Sequence, residues 1–354
     1  MIDAVEICEF TDTRRHSMLT IMKKSRRHLL IAAAGLAVTG SMIVSPAVAQ
    51  DKIKAAVIFG VNNPGAVNGW DRGHFNGVQK LIKHYGWDVD IAEGVPFPQM
   101  ERTAERYGEA GYQVVIFTSS GQIRAWNAVA PKYPKTIFAM MSTTGSLPKS
   151  DNVVAYAPDF FSYGVLNGLV AGQATDSKKI GFVAGLAVKA VEDMWSGIVE
   201  GAKVVAPDVE GTYGFSGNWT DVPRAREVTD LQIRGGVDVI IGNAGDGTLG
   251  ILDAAKTSKV KFIGYATDWS ADAPDTVLTS VLLGMEQWYD ALAKEVESGE
   301  VEPGINTFGV ESFTVMPLND KLLDAGRIAQ INDSVRRYQS GDLKIPAVRH
   351  EVKK

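Results

Sequence analysis

Residues 235–256 read GGVDVIIGNAGDGTLGILDAAK, and this stretch decides the fold class. Val237 to Gly242 form a near-continuous apolar run rich in β-branched residues, the composition of a parallel strand buried on both faces. A glycine-rich turn follows and then a segment that opens a helix, so the stretch is one strand–turn–helix unit of an α/β protein. Gly245, Asp246, Gly247 and Gly250 also spell G-x-G-x-x-G, with Asp268 near the end of the next strand, where a dinucleotide site keeps its ribose-binding acid. Three observations point away from a dinucleotide. The motif follows a late strand of the second half, and Gly242-Asn243-Ala244 make the turn longer than the fingerprint. The chain also carries an export signature, and exported proteins have no routine nicotinamide supply. A loop that lets a ligand approach backbone N–H groups is the better reading, and no cofactor is expected.

Working outward, further strands are expected at 53–59, 87–92, 114–118, 136–141 and 153–157. A second set is expected at 179–184, 211–215, 237–242, 261–265 and 276–282. Helix-period segments fill the gaps: Phe75, Val78, Leu81, Ile82 and Tyr85 make one apolar face, and Met285, Trp288, Tyr289, Leu292 and Val296 another. The list divides near residues 156–159 into two similar halves, which predicts two doubly wound parallel-sheet lobes. The first lobe is expected to span 50–157, with about 276–304 returning to it. The second is expected over 158–275, with about 305–354 returning. Gly164, Gly168 and Gly172 fall on one face of a helix and allow very close packing. A charged tail with an amphipathic helix at 320–339 is expected to wrap the surface.

The N-terminus carries the export signature. Lys23, Lys24, Arg26 and Arg27 form a positive region, residues 29–38 an apolar core, and Ala47-Val48-Ala49 a small-x-small cleavage pattern. That core is short of the ~20 apolar residues of a transmembrane helix. Residues 1–21 read as a misassigned start and 22–49 as a signal peptide cleaved near Ala49. Arg26-Arg27 leaves Sec and twin-arginine export both open. The sole cysteine, Cys8, precedes the signal, so neither a disulfide nor a lipid anchor is expected after it. The reading is a periplasmic protein of a Gram-negative host. With a formal net charge of −5, the chain favours neither nucleic acid nor an anionic membrane surface.

Catalytic patterns are poor. His74, His84 and His350 have no partner at metal-ligand spacing, and no G-x-S-x-G elbow occurs. No enzyme activity and no metal are expected. Polar and aromatic residues instead gather where loops leave strand ends: Asn68, Trp70 and Asp71 after the first strand, and Ser120, Gly121 and Arg124 after the third. In the second half they are Met194 and Trp195 at a helix start, Gly245, Asp246 and Gly247 in the glycine turn, and Asp268 and Trp269 after the next strand. Ligands of open parallel sheets bind beyond the carboxyl ends of the strands. These residues therefore describe a small-molecule cleft split between two lobes.

The order of segments resembles a known family. NGWDRGHFNGVQKL (68–81), AVAPKYPKTIF (128–138), FFSYGVLNGLVAGQA (160–174), KKIGFVAG (178–185), residues 235–256 and VLTSV (277–281) are together similar to the PnrA-like, or basic membrane protein, substrate-binding proteins of ABC importers. The resemblance covers nearly all of the chain after the signal. It implies a type I periplasmic-binding fold with the ligand cleft at the hinge, a small-molecule ligand (purine nucleosides in characterised relatives) and an inner-membrane ABC permease as partner; a monomer is expected. Trp70 matches the family's stacking aromatic, and Asp71 stands where an asparagine is usual. Five positions depart from the pattern: Arg124 for an aspartate, Ala266 for the first acid of D-x-D, Leu283 for a lysine, and Asp193-Met194 for Arg-Phe. The ligand therefore stays open among a purine nucleoside or base, another flat heterocycle, and a different polar solute such as a sugar or autoinducer. Arg124 would favour a carbonyl-rich or anionic one.

Overall fold

A computed structural model describes residues 52–142 and 146–352; the expected N-terminal extension and export signal lie outside the described residues. The first half alternates β1 (Lys54–Ile58), α1 (Trp70–Lys83), β2 (Asp88–Ala92), α2 (Phe97–Glu109), β3 (Val114–Phe117), α3 (Ile123–Val129), β4 (Ile137–Met140) and β5 (Val153–Pro158). The second half has α4 (Phe160–Ala174), β6 (Lys179–Ala184), α5 (Lys189–Val205), β7 (Glu210–Phe215) and α6 (Val222–Arg234). It continues with β8 (Val239–Asn243), α7 (Thr248–Ser258), β9 (Lys261–Ala266) and β10 (Val277–Leu282). The chain ends with α8 (Glu286–Ser298), β11 (Gly304–Phe308), β12 (Thr314–Val315) and α9 (Ala325–Gln339).

Two sheets result, ordered β11-β5-β4-β3-β1-β2 and β12-β10-β9-β8-β6-β7. The orders correspond strand for strand, so the two α/β lobes repeat one winding. The difference is at the edge, where β11 runs parallel to β5 and β12 antiparallel to β10. All ten expected strands are present, with ends displaced by no more than two residues. The sequence reading does not anticipate β11 and β12. β11 is an exposed edge with no apolar run, and β12 is two residues long. β10 pairs with β9 in the second sheet, so the chain returns to the first lobe after Leu282 and not at about 276. Likewise β11, at 304–308, still belongs to the first sheet.

Strand alternation explains why both sheets are covered twice. In β1, Ala55 and Val57 face the large core and Ile58 faces a second one with Val115, Phe117 and Trp126. In the other lobe Phe182 and Ile241 face the large core, while Val183 and Ile240 face a third. α4 is buried along almost its whole length, as its apolar composition requires, and Asp159 caps it by accepting from Phe161 and Ser162 N–H. A Cβ on Gly164 or Gly168 would lie 2.1 or 2.2 Å from the carbonyl oxygens of Met194 and Ile198 on α5. Those glycines let the two helix backbones touch.

α9 starts at 325 and not at 320, because Asp324 caps it by accepting from Arg327 N–H. The tail beyond it lies on α5. Arg349 pairs with Glu192 at 3.0 Å, and His350 N–H donates to Ser196 Oγ.

Candidate functional site

Each sheet reverses its winding between its first and third strands, at β1/β3 and at β6/β8. Such switch points are where loops leave a crevice at the carboxyl ends of strands. The loops that follow β1 and β8 meet there around a cavity of about 170 Å³. Val61, Asn62, Asn63, Pro64, Ala66, Val67, Asn68, Trp70 and Asp71 line it from the first lobe, and Gly245 and Asp246 from the second.

The first loop is latched across to the other lobe. Gly69 N–H donates to Thr267 Oγ1 at 2.7 Å, and that hydroxyl donates to Asn68 Oδ1 at 3.2 Å. Asn68 Nδ2 then donates to the Asp272 carboxylate at 2.7 Å. At the other end of the loop Asn63 adopts a left-handed conformation, tolerated by asparagine, and its N–H donates to Glu93. On the second lobe Gly245 has φ +56°, and a Cβ there would meet Trp219 O at 2.6 Å. Only glycine fits that turn.

Trp70 opens α1 and is held in place. Its indole N–H donates to Thr118 O at 2.8 Å, and its ring packs beside Phe160, Trp288 and His74, the last edge-on at 4.7 Å. His74 is wholly buried, with Nδ1 3.0 Å from the Tyr289 hydroxyl. Burial pushes its pKa down to about 3, so the ring is neutral at working pH.

The cavity is acidic. Asp71 keeps some accessible surface but is packed around by protein, and burial together with the charge of Asp246 pushes its pKa up to about 7. Burial also raises Asp246. Burial drives the nearby hydroxyls of Tyr265 and Tyr289 well up, with Tyr163 and then Asp71 adding to it at Tyr265 and Asp71 at Tyr289, so they stay neutral. None of the cavity-lining residues is a lysine, arginine or histidine.

Of the residues predicted from sequence, the structure brings Asn68, Trp70, Asp71, Gly245 and Asp246 to one cavity. Gly247 lies in the same turn, its N–H donating to Ala244 O. The others are elsewhere. Trp269 is 1% exposed, donates its indole N–H to Tyr265 O, and belongs to the core of the second lobe. Trp195 stacks on Phe182 with ring planes 8° apart, and Met194 is fully buried where α5 meets α4. Asp268 turns onto its own loop, accepting from Ser270 N–H and Oγ. Ser120 N–H donates to Ser142 Oγ, Gly121 lies under the Phe97 ring, and Arg124 is exposed on α3; none of these borders the cavity. Thr267 and Asp272, which hold the first loop, were not singled out from the sequence. Their only signal was a position just beyond a strand end. Among the described residues no group of three or more His, Cys, Asp or Glu could share a metal ion.

Comparison with known proteins agrees with this architecture. The family model for ABC transporter substrate-binding proteins, PnrA-like, matches residues 56–347. The chain is 26% identical over 259 residues to the transcriptional activator protein Med of Bacillus subtilis, covering 71% of this chain and 80% of that one. It is 27% identical over 314 residues to a purine-binding protein of Brucella abortus, covering 86% of each. Among solved structures, an ABC transporter solute-binding protein from Aeropyrum pernix superposes with a TM-score of 0.73 at 18% identity, over 84% of this chain and 94% of that one, a likeness of fold. The fold is that of type I periplasmic binding proteins, and the chain belongs to the PnrA-like family of ABC transporter substrate-binding proteins.

Proposed function

We propose that this substrate-binding protein is a periplasmic, monomeric receptor that captures a purine nucleoside or base between its lobes and delivers it to an inner-membrane permease. The observation that carries the ligand reading is the cavity itself. It joins a fixed aromatic ring, Trp70, to the side chains of Asn62 and Asn63 and to two carboxylates from opposite lobes. A rigid indole gives a flat heterocycle a stacking partner at little entropic cost, and aimed polar groups orient it. The Brucella relative is named as a purine-binding protein, which supports the same class. The cross-lobe hydrogen bonds of Asn68 and Gly69 supply the means of closing over a solute. Export rests on the sequence signature at 22–49, and the absence of a cysteine after Ala49 favours a freely diffusing form. The role is binding and release, and no catalysis is assigned.

Thermal shift against nucleosides, bases and sugars tests this reading. Purine nucleosides or bases should raise the melting temperature, and Trp70→Ala should weaken that shift at least tenfold in ligand concentration. A protein stabilised by sugars and indifferent to purines would sink it.

A further inference from the structure

Asp71 and Asp246 reach one small cavity from opposite lobes, and no cationic side chain lines it with them. The groups facing Asp71 from the elements around it offer no positive charge either. Asp246 comes from the glycine turn, Tyr265 from β9 and Tyr289 from α8, and both hydroxyls are neutral. On its own helix His74 is held neutral by burial, and Arg72 does not border the cavity. Two carboxylates confined this way resist ionising together, so below about pH 7 one of them keeps a proton. Asp71, at the more buried end, carries it near neutral pH.

A solute that presents N–H or O–H donors, or a positive charge, to both lobes removes the reason for that proton. Both carboxylates then act as acceptors and the proton leaves to solvent. An anionic solute meets the opposite situation. We propose that the Asp71–Asp246 pair makes this cleft a proton-coupled receptor, which releases a proton when it captures a neutral or cationic donor-bearing solute and discriminates against phosphorylated forms. This rests on the purine reading above but names a property of the site that the reading does not require. It also reverses the sequence-based expectation that Arg124 favours an anionic ligand, since Arg124 does not border the cavity.

The test is calorimetric titration of the wild-type protein with adenosine, guanosine, adenine and adenosine 5′-monophosphate from pH 5.5 to 8.5, in two buffers of different ionisation enthalpy. Affinity for the non-phosphorylated probes should rise with pH at up to about tenfold per unit below pH 7 and level off by pH 8. A buffer-dependent heat should report up to one proton released. Asp71→Asn should flatten the pH profile, and the monophosphate should bind at least 100-fold more weakly. A flat wild-type profile, or a monophosphate bound as tightly as adenosine, overturns the proposal. If no probe binds, the purine reading fails, and the pair is then judged without ligand. Melting curves should show Asp71→Asn and Asp246→Asn raising the melting temperature above wild type by clearly more at pH 8 than at pH 5; equal effects at both pH values overturn the proton-sharing pair.

Discussion

At the scale of single residues, His74 shows how the Trp70 ring is supported and what that support costs. The imidazole is wedged between Trp70 and Trp288 with its Nε2 unpaired, so its charged form is excluded. In the unfolded chain it takes a proton near pH 6.5, while in the fold it resists protonation down to about 3. Stability is therefore unaffected by this group above pH 6.5 and falls as pH drops below it, by ~1.4 kcal/mol per unit. Chemical denaturation at pH 6.5 and 5 should show His74→Gln reducing that acid-induced loss by about 2 kcal/mol. An unchanged loss would place the titration elsewhere. Residue-level legibility divides along the same physical line. Trp70 and Asp71 are readable because they follow a strand end and open a helix. Trp195 near a helix start and Trp269 just past a strand are equally good candidates in sequence, yet their rings are buried in the large core and in the third core. A tryptophan beside a strand end satisfies either role. Only the partner of its N–H, Thr118 O for Trp70 and Tyr265 O for Trp269, locates the ring.

At the scale of elements, the α4–α5 contact is the most exacting packing in the molecule. Glycines on both helices face backbone atoms of the other: a Cβ on Gly197 would lie 2.0 Å from Phe161 O. Gly168→Ala must separate the helices and should cost about 1–3 kcal/mol in denaturant unfolding. Gly172→Ala, whose nearest contact would be 2.9 Å, should cost less. Equal costs would mean that the close approach is not what the glycines serve. This spacing was legible on α4 because glycines four apart must share a face. Its partner surface on α5, Gly197 and Gly201, emerged only from the packing. Strands were legible for a similar reason, since burial on both faces leaves an unbroken apolar run such as residues 239–242 of β8. β11 has one exposed edge and no such run, so its place beside β5 could not be read.

At the scale of the whole molecule, two lobes with the same strand order enclose a cavity where both windings reverse. The latch that joins them, Thr267 Oγ1 to Gly69 N–H and Asn68 Oδ1, links residues 198 and 199 apart in the chain. Pairings at that range leave no local sequence signal, which is why the loops were readable and their closure was not. Thr267→Val keeps the volume and removes both hydrogen bonds. It should enlarge the radius of gyration in small-angle scattering and weaken solute binding about tenfold; a compact, fully binding variant would show that the latch does not hold the lobes together. The central claim is that solute is captured between the loops following β1 and β8. A crystal structure of the protein grown with a purine nucleoside tests it most directly. Ligand density is expected beside Trp70, within hydrogen-bonding distance of Asp71 and Asp246. Density at any other place on the molecule, with this cavity filled only by water, would contradict it.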